Sequence, residues 1–276
     1  MRWVRFGLPV LGLVAIAAGF GRDARGRALP TATVASITVT ARDFEFDAPA
    51  TVPAGLVNIR MINAGKELHH AVLVRMDQGK GSRDLGEALA KNEVPAWATF
   101  VGGPNAVDPG TESNASVVLR PGHYAWICMI PDTARMPHMA KGMIKEFDVV
   151  AGGTGTLPTP DVAMQLTDYE FKLTKPFAKG RQVVRVRNNA AQPHEVQMFK
   201  LATGKTRKDL EEWLRTEAGP PPASGIGGIA PMAQGQANNL TVDLTPGDYV
   251  LVCFIPDTKD GKPHFAHGMV MEFSIK

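Results

Sequence analysis

The amino-acid sequence predicts an all-β fold of two tandem Greek-key β-sandwich domains, each interrupted by one short helical insertion. The first observation behind this prediction is an internal repeat with an offset of 125 residues. The second is the pattern inside each copy, where short apolar-polar alternations are separated by turn signals such as Pro121-Gly122 and Pro246-Gly247. The third is length, because 276 residues suffice for two domains of roughly 100–200 residues each.

The repeat fixes the predicted domain organisation. Matched pairs recur at the same offset, which becomes 126 after the cysteines: Asp43 and Asp168, His69 and His194, Cys128 and Cys253, His138 and His264, Met143 and Met269. A period this long indicates two domains rather than a solenoid of small units. We expect one domain over residues 36–150 and the other over 161–276. The Gly- and Pro-rich segment 151–160 is predicted to be the linker between them.

The elements follow from the alternating segments in chain order. Strands are predicted in the first copy at Ser36–Thr40, Leu56–Ile62, Ala71–Met76, Ser116–Leu119, Tyr124–Met129 and Met143–Val150. Their counterparts in the second copy are Gln182–Arg187, Leu240–Leu244, Tyr249–Phe254 and Met269–Ile275. One helix is predicted in each copy, at Asp84–Lys91 and Lys208–Arg215, followed by a segment rich in Gly and Pro.

Residues 1–28 are predicted to be a signal peptide or an N-terminal anchor. Arg2 and Arg5 precede an apolar run from Gly7 to Phe20, and Ala15-Ile16-Ala17 offers a cleavage pattern. A membrane contact is expected only through this segment, if it is not cleaved. These residues carry a net charge of +4 and the rest of the chain about −1, which together give the total of +3, and no polybasic strip indicates nucleic-acid binding. We therefore expect the body of the protein to work in the periplasm or elsewhere outside the cytoplasm.

The chemistry lies in a set of side chains that occurs once in each copy. Each copy has one Cys, a His 59 residues before it, and a Pro-His pair after it, with a Met five residues beyond that second His. Two imidazoles and one thiolate, with a weak thioether contact, form the ligand set of blue-copper sites, whereas Met is a poor ligand for zinc. Buried free thiols or one disulfide between the copies are the alternatives. A disulfide would have to join equivalent positions of two separate domains, and free thiols are unusual in an oxidising compartment.

Two pairs of segments resemble a known family. PGHYAWICMIPDTARMPHMAKGM (121–143) and PGDYVLVCFIPDTKDGKPHFAHGM (246–269) resemble the copper loop of the cupredoxins, the plastocyanin and azurin superfamily. LHHAVLV (68–74) and PHEVQMF (193–199) resemble the segment that carries the first His ligand in that family. The resemblance implies two type 1 copper ions per chain, with these ligands: His69, Cys128, His138 and Met143 in the first copy, and His194, Cys253, His264 and Met269 in the second.

The sequence departs from the simplest pattern of the family at two points. Nine and ten residues separate Cys from His, which is long compared with plastocyanin and closer to the copper nitrite reductases. The position after the first His, often Asn in single-domain members, holds His70 in one copy and Glu195 in the other. Both departures are expected to change the geometry and potential of the sites rather than remove a ligand.

The function expected from this set is one-electron transfer with a small redox-protein partner. Met136, Pro137 and Met139, or Pro263 and Phe265, would form a partly apolar rim around an emerging second imidazole. Copper binding, storage or delivery without redox traffic is the alternative. A two-domain multicopper oxidase or nitrite reductase, and hence an enzyme, is disfavoured. Such enzymes need His-x-His pairs and a His directly before the Cys, whereas Ile127 and Val252 stand there.

Overall fold

The computed structural model of the protein describes residues 34–91, 93–216 and 218–276, so the predicted export segment 1–28 lies outside the described residues. The first copy contains these strands: β1 (Ala35–Arg42), β2 (Glu45–Asp47), β3 (Thr51–Pro53), β4 (Gly55–Asn63), β5 (Val72–Met76), β6 (Ala98–Gly102), β7 (Glu112–Leu119), β8 (Gly122–Ile127) and β9 (Ile144–Val150). The second contains these: β10 (Val162–Thr167), β11 (Glu170–Leu173), β12 (Gly180–Asn188), β13 (His194–Leu201), β14 (Ala223–Met232), β15 (Ala237–Leu244), β16 (Gly247–Val252) and β17 (Val270–Ile275).

The strands form two sheets, and each sheet runs through both copies. One has the order β11-β10-β12-β15-β7-β4-β1-β2 and the other the order β17-β16-β13-β14-β6-β5-β8-β9-β3. The chain passes back and forth between the two layers, which confirms the predicted all-β sandwich architecture. The copies join where Asn239 of β15 lies opposite Ser116 of β7, and where Met232 of β14 lies opposite Val101 of β6.

The core lies between the two layers, because alternate residues of each strand point inward. In β7, for example, every second residue from Ser113 to Leu119 is buried. Tyr124 and Tyr249 occupy equivalent positions in this core, and each hydroxyl donates to the carbonyl four residues earlier, at 2.9 and 2.7 Å. These bonds tie each Pro-Gly turn to the strand that leads to a cysteine.

The helices α1 (Ser82–Leu89) and α2 (Arg207–Thr216) confirm the two predicted insertions, each beginning slightly earlier than expected. In α1 the Asp84 carboxylate accepts the Gly81 N–H, and in α2 the Asp209 carboxylate accepts the Thr206 N–H. These side chains satisfy backbone donors at the first turn, which is why the helices begin where they do.

The Gly- and Pro-rich segments after the helices contain two strands, β6 and β14, that are not among the predicted strands. Two glycines in β14, Gly227 and Gly228, have positive φ angles of 92° and 144°. A Cβ on Gly228 would lie 1.9 Å from the carbonyl oxygen of Val196. Glycine therefore permits a close approach of the neighbouring strands β13 and β14.

The predicted linker 151–160 has no strand and packs against both copies. The Thr154 carbonyl accepts the Leu56 N–H at 3.4 Å, and the Leu157 carbonyl accepts the Arg185 guanidinium at 3.0 Å. The domain boundaries at 36–150 and 161–276 stay a prediction.

Candidate metal centres

The first group of candidate ligands comes from three places in the first copy. His69 lies between β4 and β5, Cys128 directly follows β8, and His138 begins the 3₁₀ turn His138–Lys141. The Nδ1 atoms of the two histidines are 3.1 Å apart. The Cys128 Sγ atom lies 3.9 Å from His69 Nδ1 and 3.5 Å from His138 Nδ1. None of the three residues has exposed surface. The structure thus brings these three predicted ligands into one buried cluster.

The second copy repeats the arrangement. His194 opens β13, Cys253 directly follows β16, and His264 begins the 3₁₀ turn His264–His267. Cys253 Sγ lies 3.8 Å from His194 Nδ1 and 3.4 Å from His264 Nδ1. In both groups the donor atoms lie within 4.8 Å of one another, and all the residues are buried.

The backbones of the two candidate methionines are hydrogen-bonded to ligand residues of these groups. Met143 accepts the Cys128 N–H at 3.2 Å and donates to the His138 carbonyl at 3.1 Å. Met269 makes the same two bonds with Cys253 and His264, at 3.3 and 3.0 Å. Both side chains have no exposed surface. The 3₁₀ turn therefore places each Met beside the Cys and the second His of its own copy.

The spacing of the donor atoms fits a single metal ion. Imidazole nitrogen and cysteine sulfur bind a first-row ion at roughly 2.0 and 2.3 Å. In a trigonal plane this places the two nitrogens about 3.5 Å apart and each nitrogen about 3.8 Å from the sulfur. The observed distances of 3.1 Å between nitrogens and 3.4–3.9 Å from nitrogen to sulfur differ from these by a few tenths of an ångström.

Burial also sets the protonation of the groups. It raises the pKa of the Cys128 thiol to about 12, and burial likewise raises that of Cys253. Burial lowers the pKa of His69 and of His194, and it lowers that of His264 to about 4. Burial therefore favours the neutral form of both thiols and of these three imidazoles, and a metal ion must displace the thiol proton to bind sulfur.

Carboxylates orient three of the four imidazoles from behind. The Nε2 atom of His69 lies 2.8 Å from Asp43 Oδ1, and that of His138 lies 2.9 Å from Glu67 Oε2. In the second copy, His194 Nε2 lies 2.6 Å from Asp168 Oδ1. Such bonds fix the ring so that the opposite nitrogen faces the metal. Sequence reasoning missed these carboxylates, although Asp43 and Asp168 are a matched pair of the repeat.

Gly65 is part of the same support. A Cβ at this position would lie 2.4 Å from Asp43 Oδ1 and 2.5 Å from His69 Nε2. In the first copy this carboxylate-imidazole pair therefore leaves no room for a Cβ at residue 65, whereas Ala190 stands at the matched position of the second copy. The loop is held by Asn63, whose Oδ1 accepts the Gly65 N–H at 3.0 Å.

The fourth imidazole differs from the other three. His264 Nε2 is buried without a hydrogen-bond partner, and the nearest carboxylate oxygen, on Asp257, lies 3.8 Å away. That carboxylate is instead bound by Tyr169, by Gln192 at 2.9 Å and by the Lys259 N–H at 2.7 Å. The two centres are therefore alike in their donors but not in how the second histidine is held.

The expectation that the second imidazole of each copy reaches the protein surface is wrong. His138 and His264 have no exposed surface, although Met136 of the predicted rim is 48% exposed. In the first copy, the Phe44 ring lies 5.1 Å from the His138 ring, edge-on, and Glu67 bonds its outer nitrogen. The 3₁₀ turn thus holds the ring beneath a neighbouring loop rather than at the surface.

The residues after the first histidines, His70 and Glu195, each bind a backbone amide beside the cysteine of their own copy. His70 Nε2 accepts the Met129 N–H at 2.8 Å, and Glu195 Oε1 accepts the Phe254 N–H at 3.1 Å. In each copy the residue that follows the first His thus binds the amide that follows the Cys.

No protein-family model and no curated protein matches the sequence. Among solved structures, the chain is similar to a dithionite-reduced auracyanin from Roseiflexus castenholzii, with a TM-score of 0.32 and 18% identity over 44% of this chain and 99% of that one. It is also similar to auracyanin A from Chloroflexus aurantiacus, described as a "blue" copper protein, with a TM-score of 0.30 and 17% identity over 44% of this chain and 100% of that one.

A copper-containing nitrite reductase from Thermus scotoductus SA-01 matches more of the chain. Its TM-score is 0.26 and its identity is 13%, over 88% of this chain and 62% of that one. The neighbours are thus copper proteins of the kinds that the sequence resemblance names, and they include an enzyme.

In the part of the chain that the structure describes, no helix is long and apolar enough to cross a membrane.

Proposed function

We propose that the chain is an exported copper protein of the cupredoxin type, with one type 1 site in each copy, and that it carries single electrons. The observation that supports this most strongly is the pair of buried clusters, each with two imidazole nitrogens and one cysteine sulfur at distances suited to one ion. Two His and one Cys with an adjacent Met are the donors of blue-copper electron-transfer sites.

In this proposal the chain's own groups keep the site rigid. His69, Cys128 and His138 would hold the ion in the first copy, with Met143 beside them, and the matched residues would do so in the second. When bound, copper supplies a one-electron couple. The carboxylates of Asp43 and Glu67 keep the two rings from turning, and burial of all the donors excludes water. Donors that are fixed before binding need little rearrangement when the charge changes.

We favour a carrier over an enzyme because of the sequence around the cysteines. Ile127 and Val252 occupy the positions where the two-domain oxidases and reductases of the resemblance need His, and the chain has no His-x-His pair. A small redox protein is the proposed partner, and a periplasmic or other extracytoplasmic location is proposed from the N-terminal segment. Copper storage or delivery uses the same donors and is distinguished by experiment.

The test begins with purified protein loaded with Cu(II). Two coppers per chain and an intense thiolate-to-copper band are expected, with Cys128→Ser and Cys253→Ser each removing one copper and part of the band. Met143→Leu should shift the potential of the first site, whereas Met136→Leu, a matched change at an exposed methionine, should not. Copper bound without the band would contradict the cysteine ligands.

Carrier and storage functions are separated by redox cycling. A carrier should be reduced and reoxidised reversibly, with copper retained in both states. Loss of copper on each reduction would favour delivery, and steady turnover of nitrite or O₂ by the loaded protein would overturn the carrier assignment.

A further inference from the structure

The peptide group that follows each cysteine is held on both sides. In the first copy, the Cys128 carbonyl accepts the Met139 N–H at 2.8 Å, and the Met129 N–H donates to His70 Nε2 at 2.8 Å. Met139 directly follows the candidate ligand His138. Both edges of this peptide are therefore bonded to residues adjacent to the other two ligands.

The second copy holds its peptide in the same way with a different side chain. The Cys253 carbonyl accepts the Phe265 N–H at 2.9 Å, and the Phe254 N–H donates to Glu195 Oε1 at 3.1 Å. A carboxylate thus does in this copy what an imidazole does in the first. In each copy one buried polar side chain thus helps backbone hydrogen bonds to orient the Cys backbone, and with it the sulfur.

A single asparagine of the first copy joins these two side chains. Asn105 Oδ1 lies 3.3 Å from His70 Nδ1, and Asn105 Nδ2 donates to Glu195 Oε2 at 3.1 Å. The directions are fixed by the neighbours. Asn105 Oδ1 also accepts the Ala106 N–H at 2.9 Å, and His70 Nε2 must be the acceptor for Met129, so Nδ1 carries the proton.

The result is one continuous chain of hydrogen bonds between the two centres. It runs from Met129 through His70, Asn105 and Glu195 to Phe254, with four hydrogen bonds of 2.8–3.3 Å. The three linking side chains are buried, with exposed fractions of 6%, 2% and 4%. In a low-dielectric interior a fully bonded network is rigid, and losing one member leaves the others unsatisfied.

We propose that Asn105 is a positioning residue for both metal centres at once. The inference rests on the proposed function for the identity of the metal, but the bonds involve only residues of the chain. Its specific consequence is that a change in the first copy alters the centre of the second. A residue that supported only the cysteine loop of its own copy would not do so.

The test compares Asn105→Leu, which has a similar volume and no polar atoms, with Asn114→Leu. Asn114 also binds across the copies, through two hydrogen bonds to the Thr241 backbone, but contacts none of the residues in the chain of bonds. Hydrogen exchange of the Met129 and Phe254 amides is measured in metal-free protein. Asn105→Leu should speed both roughly two- to tenfold, the effect of losing one ordinary hydrogen bond, and Asn114→Leu neither.

The second measurement is spectroscopic and uses copper-loaded protein. In a Cys128→Ser background only the second centre can show the thiolate-to-copper band, and Asn105→Leu should shift this band and its EPR parameters, while Asn114→Leu leaves them unchanged. If Asn105→Leu does not fold, Asn105→Ser is used, because serine cannot reach either partner. Unchanged exchange at either amide, or an unchanged second-centre spectrum, would overturn the proposal.

The two hypotheses fail in different ways. If no thiolate-to-copper band forms even with native Asn105, the proposed function fails, and the amide exchange still decides whether Asn105 links the two cysteine loops. If the bands form and do not respond to Asn105, the copper function stands and the positioning role does not.

Discussion

Replacing Asn63 by Ala would release the loop that carries the first histidine. The side chain has no exposed surface, and its amide donates to the carbonyls of Glu67 and Val107, both at 2.8 Å. Its oxygen accepts the Gly65 N–H at 3.0 Å. Each bond contributes about 1 kcal/mol net, so the loss of three should lower the free energy of unfolding by about 3 kcal/mol. For a unit of this size that is a fall in Tm of about 6–12 °C.

Thermal unfolding of the copper-free protein measures this effect, with Asn58→Ala as the matched control. Asn58 lies on the same strand, β4, and its oxygen accepts one exposed bond, from Ser116, so its loss should change stability by about 0.5 kcal/mol or less. Asn188 makes the same three kinds of bond in the second copy and should match Asn63. A Tm for Asn63→Ala within about 2 °C of that for Asn58→Ala would refute the reasoning.

Three further outcomes are expected. Gly65→Ala places a methyl group against Asp43 and His69 and should weaken copper retention at the first site roughly 10–100-fold in a chelator competition. Gly86→Ala, whose Cβ would contact no other atom, should leave copper retention unchanged, and equal losses in the two variants would contradict the close-approach argument. Because burial raises the pKa of the Cys128 thiol to about 12, loading the first site near pH 7.5 should release about one proton, measured by calorimetry in two buffers; no release would mean that sulfur does not bind. The same raised pKa means that the Cys128 thiol contributes fully to the stability of the copper-free protein below its ordinary pKa of 9.0, and that this contribution is lost as pH rises toward 12. Denaturation midpoints should therefore fall between about pH 8 and 10.5, and fall less in Cys128→Ser.

The fold class and the two clusters were predictable because the repeat places the same residue types at the same register twice. A pattern of His, Cys and His in two copies restricts which side chains can meet, and all six of these residues lie in the two clusters. The Greek-key layers followed from the alternating strands and the Pro-Gly turns. The strands depend on local pattern, which a sequence shows directly, and the repeat marks the distant ligands because each occurs twice in the same register.

What could not be predicted depends on contacts between distant segments. The pairing of Asp43 with His69 spans 26 residues, and that of Glu67 with His138 spans 71, so no local pattern marks either. The strands β6 and β14 were hidden by their glycines, which are needed where backbones approach closely. The link from His70 to Glu195 was also hidden, since it passes through Asn105, a residue without a polar counterpart in the second copy.

The shared sheets have a consequence for any attempt to study one half of the molecule alone. Strands β7 and β6 of the first half are completed by β15 and β14 of the second. Cutting the chain at the connecting segment would leave these strands as open edges, whose unpaired N–H and C=O groups seek another strand. An excised half is therefore expected to self-associate through that edge, as a homodimer mimicking the native arrangement or as an aggregate. Fusion of the two halves in one chain thus protects both edges.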